Sequence, residues 1–331
     1  MVLNLALLLV GLAVLAKGAD VFVIGAVRLA VVLRVSPLVV GAVVVGFGTG
    51  VPELLVSSLA ASRGELDLAV GNVIGSNLAN LTLVLGAAGL IARPEILPRV
   101  VRREAPLCLA TVALLALLVQ GGLTRWEGIA LLGTLGLCVA IMLHGHEPSP
   151  PPGSAEADRV ADLEEEVGDL AEDGGGEFPG VVRTALSRQV AQVVAGLVAT
   201  VAGAQILVVG AQHIASDLGL TGGFVGLTLV AVGTSLPELV TGIQSARRGE
   251  TALLAGNVLG SNVFNCTAVA GTAALIGPGR LDDAGLTVVA ATSMVCVAAL
   301  AWLFLGLGGR LRRGESAVLL TIYGATLLLV R

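Results

Sequence analysis

Residues 41–86 read GAVVVGFGTGVPELLVSSLAASRGELDLAVGNVIGSNLANLTLVLG, and residues 226–271 read GLTLVAVGTSLPELVTGIQSARRGETALLAGNVLGSNVFNCTAVAG. The second stretch follows the first at an offset of 185 without a gap, and about half of the aligned positions are identical. The same register extends backwards through Gly11/Gly196, Gly18/Gly203 and Gly25/Gly210. A chance match of this length is not credible. The chain carries two copies of one unit.

The rest of the sequence says where those copies reside. Of 331 residues, 55% are hydrophobic and only 13% charged, and the mean hydropathy is +0.94. A soluble protein is roughly a quarter charged, so a soluble enzyme, a disordered chain and a nucleic-acid binder are excluded. Apolar segments long enough to span a bilayer fall near 3–27, 37–61, 69–91, 105–120, 127–143, 189–212, 222–245, 254–276, 286–307 and 316–330. Five per copy is an odd number, so the second copy enters the membrane from the opposite side. The expectation is an all-α polytopic membrane protein of ten transmembrane helices, arranged as two inverted five-helix repeats at 1–146 and 189–331.

Residues 147–188 form the polar connection between the copies. From Glu147 to Glu177 there are 11 acids against the single base Arg159, a net charge of −10 that leaves +5 on the remainder. Pro148 and Pro150 to Pro152 open it. Such a composition cannot bury a core, so a flexible acidic linker is expected. It lacks the calcium-loop pattern of an EF-hand. Arginine gathers on alternate connections, at Arg93, Arg99, Arg102, Arg103, Arg183, Arg188, Arg247, Arg248, Arg310, Arg312 and Arg313, against Arg63, Arg125, Arg280 and Arg331 on the others. Positive charge collects on the cytoplasmic side. That places the linker in the cytoplasm and both termini outside an inner, plasma membrane, with the first apolar run retained as a helix.

Ionisable residues at membrane depth are costly and mark function. Glu53 and Glu238 are repeat mates, each directly after a proline in an apolar run. Pro52 and Pro237 each remove a backbone donor, which frees carbonyls near Gly48 and Gly233, with Gly46, Thr49, Ala231 and Thr234 beside them. Irregular backbone at this depth survives where it lines a polar cavity. Thr49, Glu53 and Ser57 follow i, i+4, i+8 and make one polar stripe; Thr234, Glu238 and Thr241 make its partner. Asn72, Ser76 and Asn80 form a second stripe, mirrored by Asn257, Ser261 and Asn265. Two carboxylates, amides, hydroxyls and carbonyls, without histidine or cysteine, suit a hard cation. Two carboxylates neutralise one divalent ion, which favours calcium, and subsets of the same oxygens can serve sodium.

The paired GTGVPE/GTSLPE and GNVIGSNLAN/GNVLGSNVFN motifs resemble the sodium/calcium exchanger family of the cation/calcium antiporter superfamily, over almost the whole chain except the linker. The resemblance implies a secondary transporter, not an enzyme. It exchanges calcium for sodium by alternating access, with these ions as substrates and no cofactor. It also implies a central diamond of Glu53, Asn80, Glu238 and Asn265, calcium contacts from the carbonyls of Thr49 and Thr234, and sodium sites drawing on Gly46, Ser76, Ala231, Thr234, Ser235 and Ser261. Two departures stand out. Gly50 occupies a position that is usually serine in the family, which removes a sodium-site hydroxyl. Asn265 replaces an aspartate common in prokaryotic relatives and argues against potassium coupling. A calcium/proton antiporter is the alternative, with one glutamate carrying the proton. A cation channel with Glu53 and Glu238 as its filter is remoter, because filters usually come from symmetric rings of subunits.

Four smaller expectations complete the picture. Lys17 and Asp20 form an i, i+3 pair. Cys108, Cys138, Cys266 and Cys296, without a CxxC pair, are buried core residues. Trp126 and Trp302 suit interfacial anchoring, and His144 and His146 are solvated. No nucleic-acid partner is expected; the lipid bilayer surrounds the chain, and a monomer is compatible with the sequence.

Overall fold

Why the chain breaks where it does is clearest at Gly50. Ser36 and Pro37 start helix α2 (Pro37–Thr49), and Gly50, at φ −77° and ψ 0°, interrupts it before α3 (Val51–Ser62) resumes with Pro52 in its first turn. The two segments meet at 44°. Proline cannot continue an interior hydrogen-bond ladder but fits a first turn. The repeat does the same at Ser235, φ −89° and ψ 4°, before α8 (Leu236–Arg248) with Pro237. Gly64 and Gly249 follow these helices at positive φ, +79° and +71°, a conformation that glycine alone adopts without strain.

The computed structural model describes residues 2–33, 35–144, 178–217, 233–283, 285–307 and 309–329. Within them every named element is helical and no strand forms. The others are α1 (Val2–Leu33), α4 (Leu66–Ala92), α5 (Val100–Gly121) and α6 (Arg125–Leu143), then α7 (Phe178–Asp217), α9 (Thr251–Ile276), α10 (Gly285–Gly306) and α11 (Arg313–Leu329). Seven helices are long and apolar enough to cross a membrane, and the bent α2–α3 pair makes an eighth. The first part of the expected seventh span, 222–232, lies outside the described residues, as does the linker from 147 to 177. Helix α7 begins at Phe178, inside the stretch read from the sequence as linker.

The motif helices are the interior. The apolar windows of α4 and α9 are 72% and 83% buried, against 22% for α6. Around them, α1, α6, α7 and α10 turn Leu9, Leu137, Val198 and Val289 outward. Helices apolar on every face belong in a bilayer. Contacts come in mated pairs: α3 packs on the C-terminal half of α9 and α8 on that of α4, while α6 packs on the end of α9 and α11 on the end of α4.

Helices α1 and α7 run antiparallel at very close range. A Cβ placed on Gly18 would lie 2.5 Å from the Thr200 nitrogen, and one on Gly203 would lie 2.3 Å from the Leu15 nitrogen. Thr200 is the mate of Leu15 and Gly203 the mate of Gly18, so the two contacts are one contact with the copies exchanged. Gly11 against Leu207 and Gly196 against Phe22 repeat the relation. Only glycine lets two backbones approach so closely.

Some expectations change. Asp20 does not pair with Lys17 but accepts both Nε (3.0 Å) and Nη2 of Arg248, which ties α1 to the end of α8. An arginine fork one helix away outcompetes a neighbouring ammonium that must bend along its own helix. Cys296 is exposed while Cys108, Cys138 and Cys266 are buried, because position 296 falls on an outward face of α10. Trp126 is exposed, and the Trp302 indole donates to the Val101 carbonyl at 2.8 Å. At the end of α6, Arg103 and Arg99 donate to the Met142 carbonyl while both pair with buried Glu104, so cations sit where the helix carbonyls run out. His146 lies outside the described residues; His144 is exposed.

Candidate functional site

Four elements converge in the middle of the molecule: the first turns of α3 and α8 and the mid-sections of α4 and α9. Glu53 and Glu238 sit in those first turns, where the helix dipole favours negative charge. Asn80 and Asn265 each begin a π-turn, Asn80–Val84 and Asn265–Val269, inside α4 and α9. A π-turn adds a residue to one turn and re-aims the side chains, a feature frequent at functional sites. The motif spacing predicted polar stripes but not these turns. The i, i+4, i+8 pattern of asparagine, serine and asparagine in both copies marks these helices without revealing the turns.

Of the predicted residues, Thr49, Glu53, Ser76, Asn80, Thr234, Ser235, Glu238, Ser261 and Asn265 are all buried, as is Gly46. Ala231 lies outside the described residues. Glu53 accepts from the Ser76 hydroxyl at 3.4 Å, and Thr234 and Ser235 of the other copy stand beside it. Thr49 stands beside Glu238, and the two carboxylates are near enough to interact electrostatically. Each acid is thus faced by groups from the opposite copy.

Several polar atoms of these residues lack hydrogen-bond partners among the described residues. Glu53 Oε2, both Glu238 oxygens, Asn80 Oδ1, Asn265 Oδ1 and Ser235 Oγ are buried without a hydrogen-bond partner. Leaving a buried polar group unpaired costs about 1–3 kcal/mol, and more for a charge. Six such oxygens, all contributed by the predicted residues, are what a multi-oxygen cation shell requires. The amide nitrogens of Asn80 and Asn265 are equally free, so nothing in the fold holds those side chains in one orientation.

The other motif asparagines have their amide nitrogens engaged, although Asn77, Asn257 and Asn262 each also keep a buried oxygen without a partner. Asn72 donates to Ser57 Oγ (3.0 Å) and the Glu53 carbonyl (3.3 Å), joining α4 to α3. Asn257 donates to Thr241 Oγ1 at 3.2 Å and joins α9 to α8. Both act as interhelical ties. Gly46 departs from expectation: its carbonyl accepts from the Ser261 hydroxyl (3.2 Å) and from the Gly50 nitrogen (3.2 Å). Both lone pairs are engaged here, because α9 presses on α2 so closely that a Cβ on Gly46 would lie 2.8 Å from the Ser261 nitrogen.

This geometry has counterparts. The chain is 35% identical over 318 residues to CaxA of Alkalimonas amylolytica, covering 95% of this chain and 94% of that protein. It is 28% identical to the sodium/calcium exchanger MaX1 of Methanosarcina acetivorans, covering 99% and 98%. Its structure superposes on that of the sodium-calcium exchanger NCX_Mj, soaked with 10 mM Na+ and no Ca2+, with a TM-score of 0.83 at 27% identity, over 100% of this chain and 99% of the other. The sequence profile of the sodium/calcium exchanger proteins matches residues 3–144 and 188–331. With both halves of the chain inside that profile, and a buried oxygen-rich centre contributed by both, the protein is a membrane protein belonging to the sodium/calcium exchanger family.

Proposed function

We propose that the protein exchanges Ca2+ for Na+ across the plasma membrane by alternating access, through a single site on Glu53, Glu238, Asn80 and Asn265. The observation that carries this reading is the burial, without hydrogen-bond partners, of side-chain oxygens from both carboxylates, Asn80, Asn265 and Ser235. Glu53 and Glu238 together neutralise a divalent ion. Asn80, Asn265 and the carbonyls of Thr49 and Thr234 complete its shell with neutral oxygens. Ser76, Ser235 and Ala231 supply the further oxygens that monovalent ions use, whereas the Ser261 hydroxyl and the Gly46 carbonyl are engaged with each other. A cation replaces its hydration water with these groups, and the loaded site then loses the repulsion between two buried carboxylates.

The antiparallel, copy-exchanging contacts of α1 and α7 support ten spans in two inverted repeats. In that arrangement one conformation becomes its opposite-facing counterpart when the halves trade shapes. Both termini then lie outside and the acidic linker inside. A second reading, with protons as the coupling ion, draws on the same two carboxylates, since each is fully buried and neither has a cationic partner among the described residues. Calcium uptake by sodium-loaded proteoliposomes diluted into sodium-free buffer tests the choice. Uptake under an outward sodium gradient, unaffected by collapsing the pH gradient, is the expected result. Uptake that follows only the pH gradient refutes sodium coupling.

A further inference from the structure

Glu53 and Glu238 occupy equivalent places in the repeat but are not equally served. Glu53 has three hydroxyls around it, from Ser76, Thr234 and Ser235. Glu238 has Thr49, and Ser261, the mate of Ser76, donates to the Gly46 carbonyl instead. The turn positions preceding the two acids share one backbone conformation, φ −77° ψ 0° at Gly50 and φ −89° ψ 4° at Ser235. Their side chains differ, and so does what faces them. A Cβ on Gly50 would lie 2.7 Å from Cδ1 and 3.0 Å from Cε1 of Phe264. The repeat mate of Phe264 is Ala79. Phe47 holds the Phe264 ring in place, centroid to centroid 4.7 Å with the planes tilted by 31°. One copy therefore has a buried hydroxyl at Ser235, with alanine at the position equivalent to the ring, and the other sets a bare glycine against a packed aromatic ring.

We propose that Phe264 is a specificity-determining residue that, seated on Gly50, eliminates the monovalent-cation subsite beside Glu238 and leaves its counterpart beside Glu53 intact. The proposal rests on the sodium/calcium exchange reading above. A monovalent ion entering the protein must replace its water with oxygens. The ring supplies none and fills the place where the serine of a symmetric site would stand. Calcium is spared, because its binding depends on the two carboxylates and the amides, which both copies provide. The exchanger then moves fewer sodium ions per calcium than its two-fold architecture would allow.

The test is the number of sodium ions exchanged per calcium, measured with radiolabelled ions in proteoliposomes. Gly50→Ser combined with Phe264→Ala should raise that ratio by about one sodium, since one restored subsite holds one ion. Gly50→Ser alone should keep the wild-type ratio, because the ring still occupies the place. An unchanged ratio in a double variant that transports calcium overturns the proposal while leaving sodium/calcium exchange standing. Should the double variant be inactive, Ser235→Gly decides: it should lower the ratio by about one sodium through loss of the remaining hydroxyl subsite, and a wild-type ratio overturns the proposal. Wild-type protein that takes up calcium without sodium counterflow overturns both this proposal and the exchange reading, and is recognised before any variant is made.

Discussion

Glu53 and Glu238 end the closely matched motifs GTGVPE and GTSLPE, yet their surroundings differ in three hydroxyls against one. The backbone scaffold around them is closely duplicated: the broken helices, the π-turns at Asn80 and Asn265, and the left-handed closures at Gly64 and Gly249 recur at one offset. Duplication therefore governs the frame, and single side chains distinguish the surroundings of the two acids. Gly50 against Ser235, and Phe264 against Ala79, change the chemistry without moving the turn.

The sharpest way to break this comparison is to remove one charge at a time. Glu53→Gln and Glu238→Gln keep size and most hydrogen bonding but leave a divalent ion with half its neutralising charge. An unpaired charge away from water costs several kcal/mol, so calcium exchange should fall by at least about a hundredfold in either variant, at tenfold per 1.4 kcal/mol. If one glutamine variant transports normally while correctly folded, the two-carboxylate site is wrong. Asn80→Ala and Asn265→Ala remove neutral ligands only. A loss of about tenfold in calcium affinity, by isothermal calorimetry in detergent, is expected for each, matching one lost hydrogen-bond-scale contact to a charged group.

The two serines should separate ion binding from packing. Ser76 donates to Glu53, whereas Ser261 donates to a backbone carbonyl on α2. Ser76→Ala should raise the half-saturating sodium concentration with little change in thermal stability. Ser261→Ala should lower the stability by about 1 kcal/mol, the usual net value of a neutral hydrogen bond, read as a lower melting temperature in detergent. Equal effects of the two on sodium dependence would erase the asymmetry. The smallest effect is expected from the acidic linker: deleting Ser154–Gly175 should leave exchange within about twofold, as for a solvated tether. Loss of calcium activation in that variant would assign it a regulatory role.

Much of the site is legible in sequence because its members recur in pairs. Glu53/Glu238, Asn80/Asn265 and Ser76/Ser261 stand out in apolar runs where polarity is costly, and helical spacing alone puts them on common faces. What escapes is set by contacts between distant segments. The Gly46 carbonyl looks free along the chain, and only the seating of α9 on α2 reveals the Ser261 hydroxyl on it. Asp20 has a lysine three residues away but an arginine closer in space. Phe264 reads as an ordinary apolar residue of α9 until its ring is found against Gly50. The π-turns escape for another reason: they are local shifts of hydrogen bonding that propensity does not encode.

The length of α7 has a consequence for the acidic segment that precedes it. The apolar span legible in the sequence begins near 189, but the helix begins at Phe178. At 1.5 Å per residue the leading turns extend the rod by about 16 Å. That exceeds the distance of about 8 Å over which physiological salt screens a charge. The attachment point of a segment carrying net −10 is thereby held beyond electrostatic reach of the apolar boundary. Charge near that attachment can then vary without altering the field at the apolar boundary of α7.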